Sequence, residues 1–462
     1  MNSRHTTIEM LSENTLLEIF DFYRLDAITP SGGRPWKWHR LAHVCKKWRR
    51  VVFMAPSRLG LQILCKSKAP MEHIMDFWPI LPLVVQYRSP KPKSLSRNIV
   101  AALRHPDRVC EIELDVTGST IGSIVELIQE PFLSLERIRI TSKDATGPPV
   151  LTRFLGGSAP RLEEIELCDV AIPFPALRRL LLSTTNLINL ELWNIPNTCY
   201  FPPDALVTCL SALVHLNRLK VSFHFSTCRP SSSWTYLPVE RHTLPSLAYL
   251  DFRGTSEYLE GVVARIDFPS LTTFYIRFFN QLVFEIPQLY QFMSRVDRLK
   301  SFNEVIVTSS ENHVAITLTK RGERRLDLAW CQLFIRCRQF DWQLSFMTQI
   351  FSQLSPLLFN VETFAIEDSS LLSPPTGQED VDPTQWWELF QSFPRVWKVH
   401  VTNELVPGVV QALAMEDIAT AIVPRLVSLH LKGFRQSPSM VEAAEQFVAI
   451  RKRSGRSITL YG

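Results

Sequence analysis

Glycine is sparse, 16 in 462 residues. Where two stand together, at Gly32-Gly33, they lack the spacing of a loop that cradles phosphates. Neither a Gly-x-Ser-x-Gly elbow nor a His-Glu-x-x-His helix occurs. The nine cysteines form no paired framework, and the five-residue separation of Cys331 and Cys337 suits neither a zinc knuckle nor a redox pair. Cys168, Cys199 and Cys209 read as buried thiols. No Asn-x-Ser/Thr acceptor is present, which with the unpaired cysteines points to a reducing intracellular compartment, cytoplasmic, nuclear or both. No apolar run reaches the length of a membrane span. None follows the opening Met-Asn-Ser-Arg-His-Thr-Thr, as a secretory signal would require. His39 and His43 lie one helical turn apart without a supporting carboxylate or cysteine cluster, so solvated histidines are expected there rather than a metal site. No catalytic constellation is visible, and the chain is expected to be neither an enzyme nor a cofactor carrier.

What is present is the composition of a soluble globular protein, 46% hydrophobic and 21% charged, with 31 prolines to punctuate short connections. Charge is uneven. Residues 1–60 hold ten Lys/Arg against five Asp/Glu, and the rest of the chain is balanced. The basic surplus favours an acidic partner for the N-terminal segment. Nucleic acid binding through residues 34–50 is the competing reading, made unlikely by the neutral body and the lack of a nucleic-acid-reading motif.

Leu11 to Val52 carries two apolar stripes. Leu16, Ile19, Phe20 and Tyr23 fall at helical spacing, with Asn14 or Ser12 as a cap and Glu18 suited to the dipole. Trp38, Leu41, Val44, Cys45, Trp48, Val51 and Val52 form a second helical face after a loop at about Leu25–Trp36. Two short helices cannot bury this much surface against each other, so the excess meets the rest of the chain or a partner. An ordinary core hairpin is one explanation. The pattern also resembles an F-box, in Leu16-Leu17-Glu18-Ile19-Phe20 and in Leu41-Ala42-His43-Val44-Cys45-Lys46-Lys47-Trp48-Arg49-Arg50-Val51. Ser12 stands where that family usually has proline. The interhelical loop, the Asp341–Ser345 segment and the Phe447–Ala449 helix are similar to the large basidiomycete fungal group of F-box proteins.

From Val109 onward a unit repeats: apolar, two spacers, apolar, one spacer, apolar. It occurs at Val109/Ile112/Leu114, Leu135/Ile138/Ile140, Leu162/Ile165/Leu167, Leu187/Leu190/Leu192, Leu216/Leu219/Val221 and Leu247/Leu250/Phe252. It continues at Leu271/Phe274/Ile276, Phe302/Val305/Val307, Val361/Phe364/Ile366, Val396/Val399/Val401 and Leu426/Leu429/Leu431, mostly 24–35 residues apart. Helix-like stretches precede most units: Val150–Leu155, Leu177–Leu182, Ala205–Leu213, Leu289–Val296, Trp386–Phe390 and Val409–Ile422. This resembles the leucine-rich-repeat plan, with strands stacked in parallel and helices covering the other face. The Asn or Cys usual at the ninth position is replaced by Val170, Ile195, Phe279, Phe434, Lys143, Thr255 or Glu404, so uneven turns are expected. An ordinary α/β domain is the alternative. The fold class is therefore α/β: an N-terminal helical F-box at 1–60, a connecting strand and helix segment at 61–105, and an irregular leucine-rich-repeat-like solenoid at 106–462. A gap of fifty-nine residues after Phe302 predicts an insertion at about 308–345, a hairpin of Val314–Leu318 and Arg325–Trp330.

The third and fifth unit positions should face away from the helices. Trp193, Tyr249 and Tyr275, flanked by Arg253 and Arg277, would form an aromatic and arginine patch suited to binding a target protein, unless loops cover it. The F-box resemblance implies a substrate receptor of an SCF-type cullin–RING ubiquitin ligase, with no chemistry of its own. It would dock on the ligase's adaptor subunit, and through it on cullin, by Leu11, Leu16, Leu17, Ile19, Phe20, Leu41, Val44, Cys45, Trp48 and Val51. A repeat scaffold working outside ubiquitin ligases is the alternative.

Overall fold

The structure, a computed structural model, describes residues 11–27, 38–65, 81–88, 96–143, 150–224, 241–279, 284–300, 302–310, 312–320, 330–336, 340–368, 383–402, 405–415, 423–432 and 438–461. The chain forms two compact units, Met1–Thr184 and Thr185–Gly462.

The first unit opens with helix α1 (Glu13–Ala27). Ser12 is its cap, its Oγ accepting from the Thr15 amide at 3.1 Å. Leu16 and Phe20 are fully buried, each contributing roughly 1.5–3 kcal/mol of apolar burial. The single second helix expected over Trp38–Val52 is instead two, α2 (His39–Ala42) and α3 (Lys46–Met54). The reason is Cys45: its backbone is extended, and its Sγ accepts from the Trp48 amide at 3.4 Å, capping α3 rather than continuing α2. Phe20 meets Trp48 edge-on at 4.9 Å, and Trp38 meets Phe53 at 5.6 Å. The Trp38 indole donates to the Gln62 carbonyl at 2.8 Å, which ties the hairpin to the strand that follows.

That strand is β1 (Ile63–Cys65), followed by β2 (Leu83–Arg88), β3 (Val109–Val116), β4 (Arg137–Ser142) and β5 (Glu164–Cys168). They pair in parallel in chain order. The repeat's apolar positions lie at or just before the strands and point inward, so Ile112, Leu114, Ile138, Ile140, Ile165 and Leu167 are buried. The helix expected at Val150–Leu155 is a 3₁₀ turn over Phe154–Gly157, because Leu155 and Gly156 take φ of 53° and 56°. A Cβ on Gly156 would stand 2.6 Å from the Pro131 nitrogen, so the chain passes too close for any other residue.

The second unit contains β6 (Asn189–Ile195), β7 (Arg218–Phe223), β8 (His242–Thr243), β9 (Tyr249–Gly254), β10 (Ile266–Asp267) and β11 (Thr273–Phe278). β12 (Glu304–Ser309), β13 (His313–Thr319), β14 (Trp330–Arg336), β15 (Thr363–Asp368), β16 (Lys398–Thr402), β17 (Ser428–Lys432) and β18 (Thr459–Tyr461) follow. All five repeat units at Leu187 to Phe302 and all three at Val361 to Leu426 become sheet strands. Their spatial order is β6-β7-β9-β11-β14-β13-β12-β15-β16-β17-β18, while β8 and β10 pair separately.

The insertion differs from expectation. β12 does not stack on β11; β13 and β14 lie between them, and β13 is antiparallel to both neighbours. β14 is Trp330–Arg336, later than the strand expected at Arg325–Trp330, because Cys331, Leu333 and Ile335 supply the buried alternation. Residues 321–329 lie outside the described set, as do the expected Leu25–Trp36 loop from 28 onward and residues 66–80 and 89–95 of the connecting segment.

Helices Pro203–Leu210, Ser256–Val263, Pro287–Arg295, Phe340–Leu358, Pro383–Gln391, Val406–Ala414 and Pro438–Arg453 cover one side of this sheet. Val406–Ala414 ends short of the expected Ile422, and 416–422 lie outside the described residues. Thr255, at a ninth position, caps its helix through Oγ1 to the Tyr258 amide at 3.4 Å. Buried Glu260 caps the next helix along, accepting from the Gln288 and Leu289 amides at 2.7 Å each. At this step of the stack a side chain from one helix caps the next.

Candidate functional site

Two surfaces carry the residues singled out by sequence, one in each unit. In the first unit, Leu16, Phe20, Leu41 and Val51 are buried core residues. Leu11, Leu17, Cys45 and Trp48 are half-buried, while Ile19 and Val44 are 43% and 58% exposed. Ile19, Phe22 and Tyr23 form an open stripe on α1, because positions three and four apart share a helix face. Met54, at the end of α3, is also open. Phe22 and Met54 escaped the sequence reading because neither falls on a stripe that predicts core. Lys46, Arg49 and Arg50 are exposed on α3, and Arg50 reaches Glu13 at 3.7 Å.

The sheet face of the first unit is a ladder of paired charges. Arg88 meets Glu113, Arg139 meets Glu166 at 2.6 Å, and Lys143 meets Asp115 at 2.9 Å. Arg137 lies between Glu111 and Glu164 at 3.8 and 3.9 Å. Glu164 and Glu166 are thus partners of the neighbouring strand.

The second unit's sheet face is different. Arg218 lies over the Tyr249 ring at 3.8 Å, and Lys220 over Trp193 at 4.8 Å. Glu191 receives Arg218 and Lys220 at 2.9 Å each, and the Trp193 indole at 3.2 Å. Burial raises the Glu191 carboxyl, but the hydrogen bonds from Lys220 and Trp193 win and hold it below its ordinary value. Tyr249 and Tyr275 stand on paired strands with rings 5.7 Å apart. Trp193, Tyr249 and Tyr275 are each half-buried, leaving a rigid aromatic strip with open edges.

Next along the face, Arg253 and Arg277 are register partners across β9 and β11, and Phe334 is Arg277's partner on β14. Arg277 reaches Asp251 at 3.6 Å, and its guanidinium lies 5.8 Å from the Phe334 ring. Burial raises the Asp251 carboxyl, opposed by Arg277 and Lys220. Arg253, Arg277, Phe278, Phe279, Asn312, His313, Phe334 and Arg336 line a cavity of about 380 Å³. The structure therefore brings all five target-binding candidates onto one sheet face. It adds Phe334 and Arg336, hidden from sequence by the displaced strand.

Elsewhere, Arg451 of the basic Arg451-Lys452-Arg453 run is fully buried and donates to the Val423, Pro424 and Leu426 carbonyls, so it is part of the core and no anion contact. His430 stacks on Tyr461 at 4.3 Å beside His400. His39 and His43 are exposed. Among the described residues, no group of three or more His, Cys, Asp or Glu could hold a metal ion, and no helix is long and apolar enough to cross a membrane.

No family model matches the chain, and no curated protein matches it. Among solved structures it is similar to the leucine-rich repeat-containing protein LegL7 from Legionella pneumophila, with 12% identity, 72% of this chain and 95% of that chain covered, and a TM-score of 0.22. At that score the likeness carries no argument. The description of each unit as a solenoid-like α/β stack rests on its own strand pairing.

Proposed function

We propose that this chain is a protein-interaction scaffold that holds a partner protein on the sheet face of its second unit. The observation that supports the reading most is the strip of Trp193, Tyr249 and Tyr275 set among Arg218, Lys220, Arg253 and Arg277. Aromatic and arginine side chains with restricted motion are the groups that dominate protein interfaces. Charges pair across neighbouring strands on both sheet faces, Arg218 and Lys220 with Glu191 and Arg277 with Asp251 in the second unit, so the aromatic strip is what sets this face apart. The test is photo-crosslinking in cells. Benzoylphenylalanine at Tyr249 or Tyr275 should trap the same protein, and the same group at exposed Gln291 on the helical side should not. Equal capture from all three positions contradicts the reading.

A finer reading places the chain in an SCF-type ubiquitin ligase, with its helical hairpin docked on the adaptor subunit. The open stripe of Ile19, Phe22 and Tyr23, with exposed Val44, favours it, since such a surface invites cover. In this reading Leu16, Phe20, Leu41 and Val51 shape the hairpin, and Leu11, Leu17, Ile19, Val44, Cys45 and Trp48 meet the adaptor. Ile19→Asp with Val44→Asp should abolish adaptor co-purification while leaving the fold intact, because both residues are exposed. Absence of the adaptor from wild-type complexes that retain the sheet-face partner would place the scaffold outside ubiquitin ligases.

A further inference from the structure

We infer that the cavity beside the aromatic strip is a receptor for a phosphorylated serine or threonine on the partner protein. This rests on the sheet-face reading above and names the chemistry that the face would select.

The cavity is built by register. Arg253 on β9, Arg277 on β11 and Phe334 on β14 are successive ladder partners, so their side chains emerge in a row on one face. Arg336 lies two residues beyond Phe334, hence on the same face, and is itself paired with His313 on β13. Three guanidinium groups thus converge on one cavity of about 380 Å³. Among the described residues one carboxylate, Asp251, answers them through Arg277 and is 4% exposed. Among the described residues Arg253 and Arg336 have no carboxylate within 4.0 Å. This contrasts with Arg88, Arg137, Arg139 and Arg218, which all have acidic partners on their own sheet faces.

Charge accounting then selects the ligand. Among the described residues, three arginines and one aspartate leave a surplus of two positive charges, which a phosphate monoester of charge about −2 at neutral pH matches. Arginine forks fit phosphate oxygens in bidentate pairs. The mutual repulsion of Arg253, Arg277 and Arg336 is a cost that an anion relieves. Burial comes first, and the charges of Arg277 and Arg336 second, in pulling the Arg253 guanidinium's pKa down from its ordinary value. His313 closes the rim with its Nδ1 engaged by the Ser310 hydroxyl at 2.8 Å, and Phe279 and Phe334 give an apolar wall. Tyr275, on the same strand and face as Arg277, links this cavity to the aromatic strip, where the residues flanking a phosphorylated side chain would lie.

The test uses the full-length chain and a degenerate peptide pool with a central phosphoserine, compared with the same pool lacking phosphate and with inorganic phosphate. The phosphorylated pool should bind at least about tenfold tighter than either, and the gain should shrink as salt rises. Arg253→Ala with Arg336→Ala should erase the gain while leaving the thermal midpoint within a few degrees. Arg253→Lys with Arg336→Lys should restore part of it, since charge returns without the fork. Equal binding of the two pools by the wild-type chain overturns the inference without any variant. So does inorganic phosphate binding as tightly as the phosphopeptides. If the arginine variants keep a partner that benzoylphenylalanine at Tyr249 traps, the phosphate inference fails and the interface reading survives. If the wild-type chain traps no partner at Tyr249 either, both fall.

Discussion

Two buried charged residues show how single side chains hold this chain together. Arg451 donates to three backbone carbonyls from a fully buried position, closing the end of the Pro438–Arg453 helix onto the segment before β17. Arg451→Met fills similar space but strands those carbonyls, and should cost about 2–4 kcal/mol in chemical denaturation. Glu260 makes a different bargain. Burial raises its carboxyl to about 7, against the Gln288 and Leu289 amides that pull it down. A carboxyl whose folded pKa exceeds its unfolded value of 4.5 holds its proton longer when folded, so its contribution favours the fold most below 4.5 and is lost as pH rises to about 7. Glu260→Gln should flatten that part of the stability–pH curve. It should also lower stability at pH 5, because one amide N–H then faces an amide nitrogen; an unchanged slope would show that Glu260 does not titrate there. The Arg451 role was not legible from sequence, where it is one of three adjacent basic residues. Nothing local distinguishes a buried arginine from its neighbours.

At the level of elements, the repeat strands and their order within each unit were legible, and the place of β13 and β14 was not. Each apolar triplet from Val109 to Leu431 marks a sheet strand because a period-2 pattern buried on one face has few other solutions. Where β13 and β14 insert is a matter of pairing between distant strands, which no local pattern records. The same displacement hid Phe334 and Arg336, while Trp193, Tyr249, Arg253, Tyr275 and Arg277 were legible because their strands kept the repeat. The break between α2 and α3 turned on Cys45 capping instead of packing, a choice between two roles open to one small side chain. Helix spacing is equally demanding. A Cβ on Gly261 would stand 2.9 Å from the Pro203 ring on the neighbouring helix, and a ring cannot swing aside. Gly261→Ala should therefore destabilise by about 1–3 kcal/mol, read by thermal unfolding, although alanine is the better helix former.

For the molecule as a whole, both units pair sheet-face charges across strands, and the second adds an aromatic strip with Arg253 and Arg336, which among the described residues have no carboxylate partner. A long array of parallel strands suits presentation of an extended surface, since side chains from successive strands fall in rows at fixed spacing. The helical hairpin contributes a separate open apolar stripe, and the F-box reading stands or falls with what covers it. The central claim, that the second unit's sheet face holds a protein, is tested most directly by crosslinking through Tyr275 in the wild-type background and again with Trp193→Ala and Tyr249→Ala. A single crosslinked protein that disappears in the double variant, with circular dichroism and thermal midpoint preserved, is the predicted result; the same crosslink at undiminished yield would contradict the account.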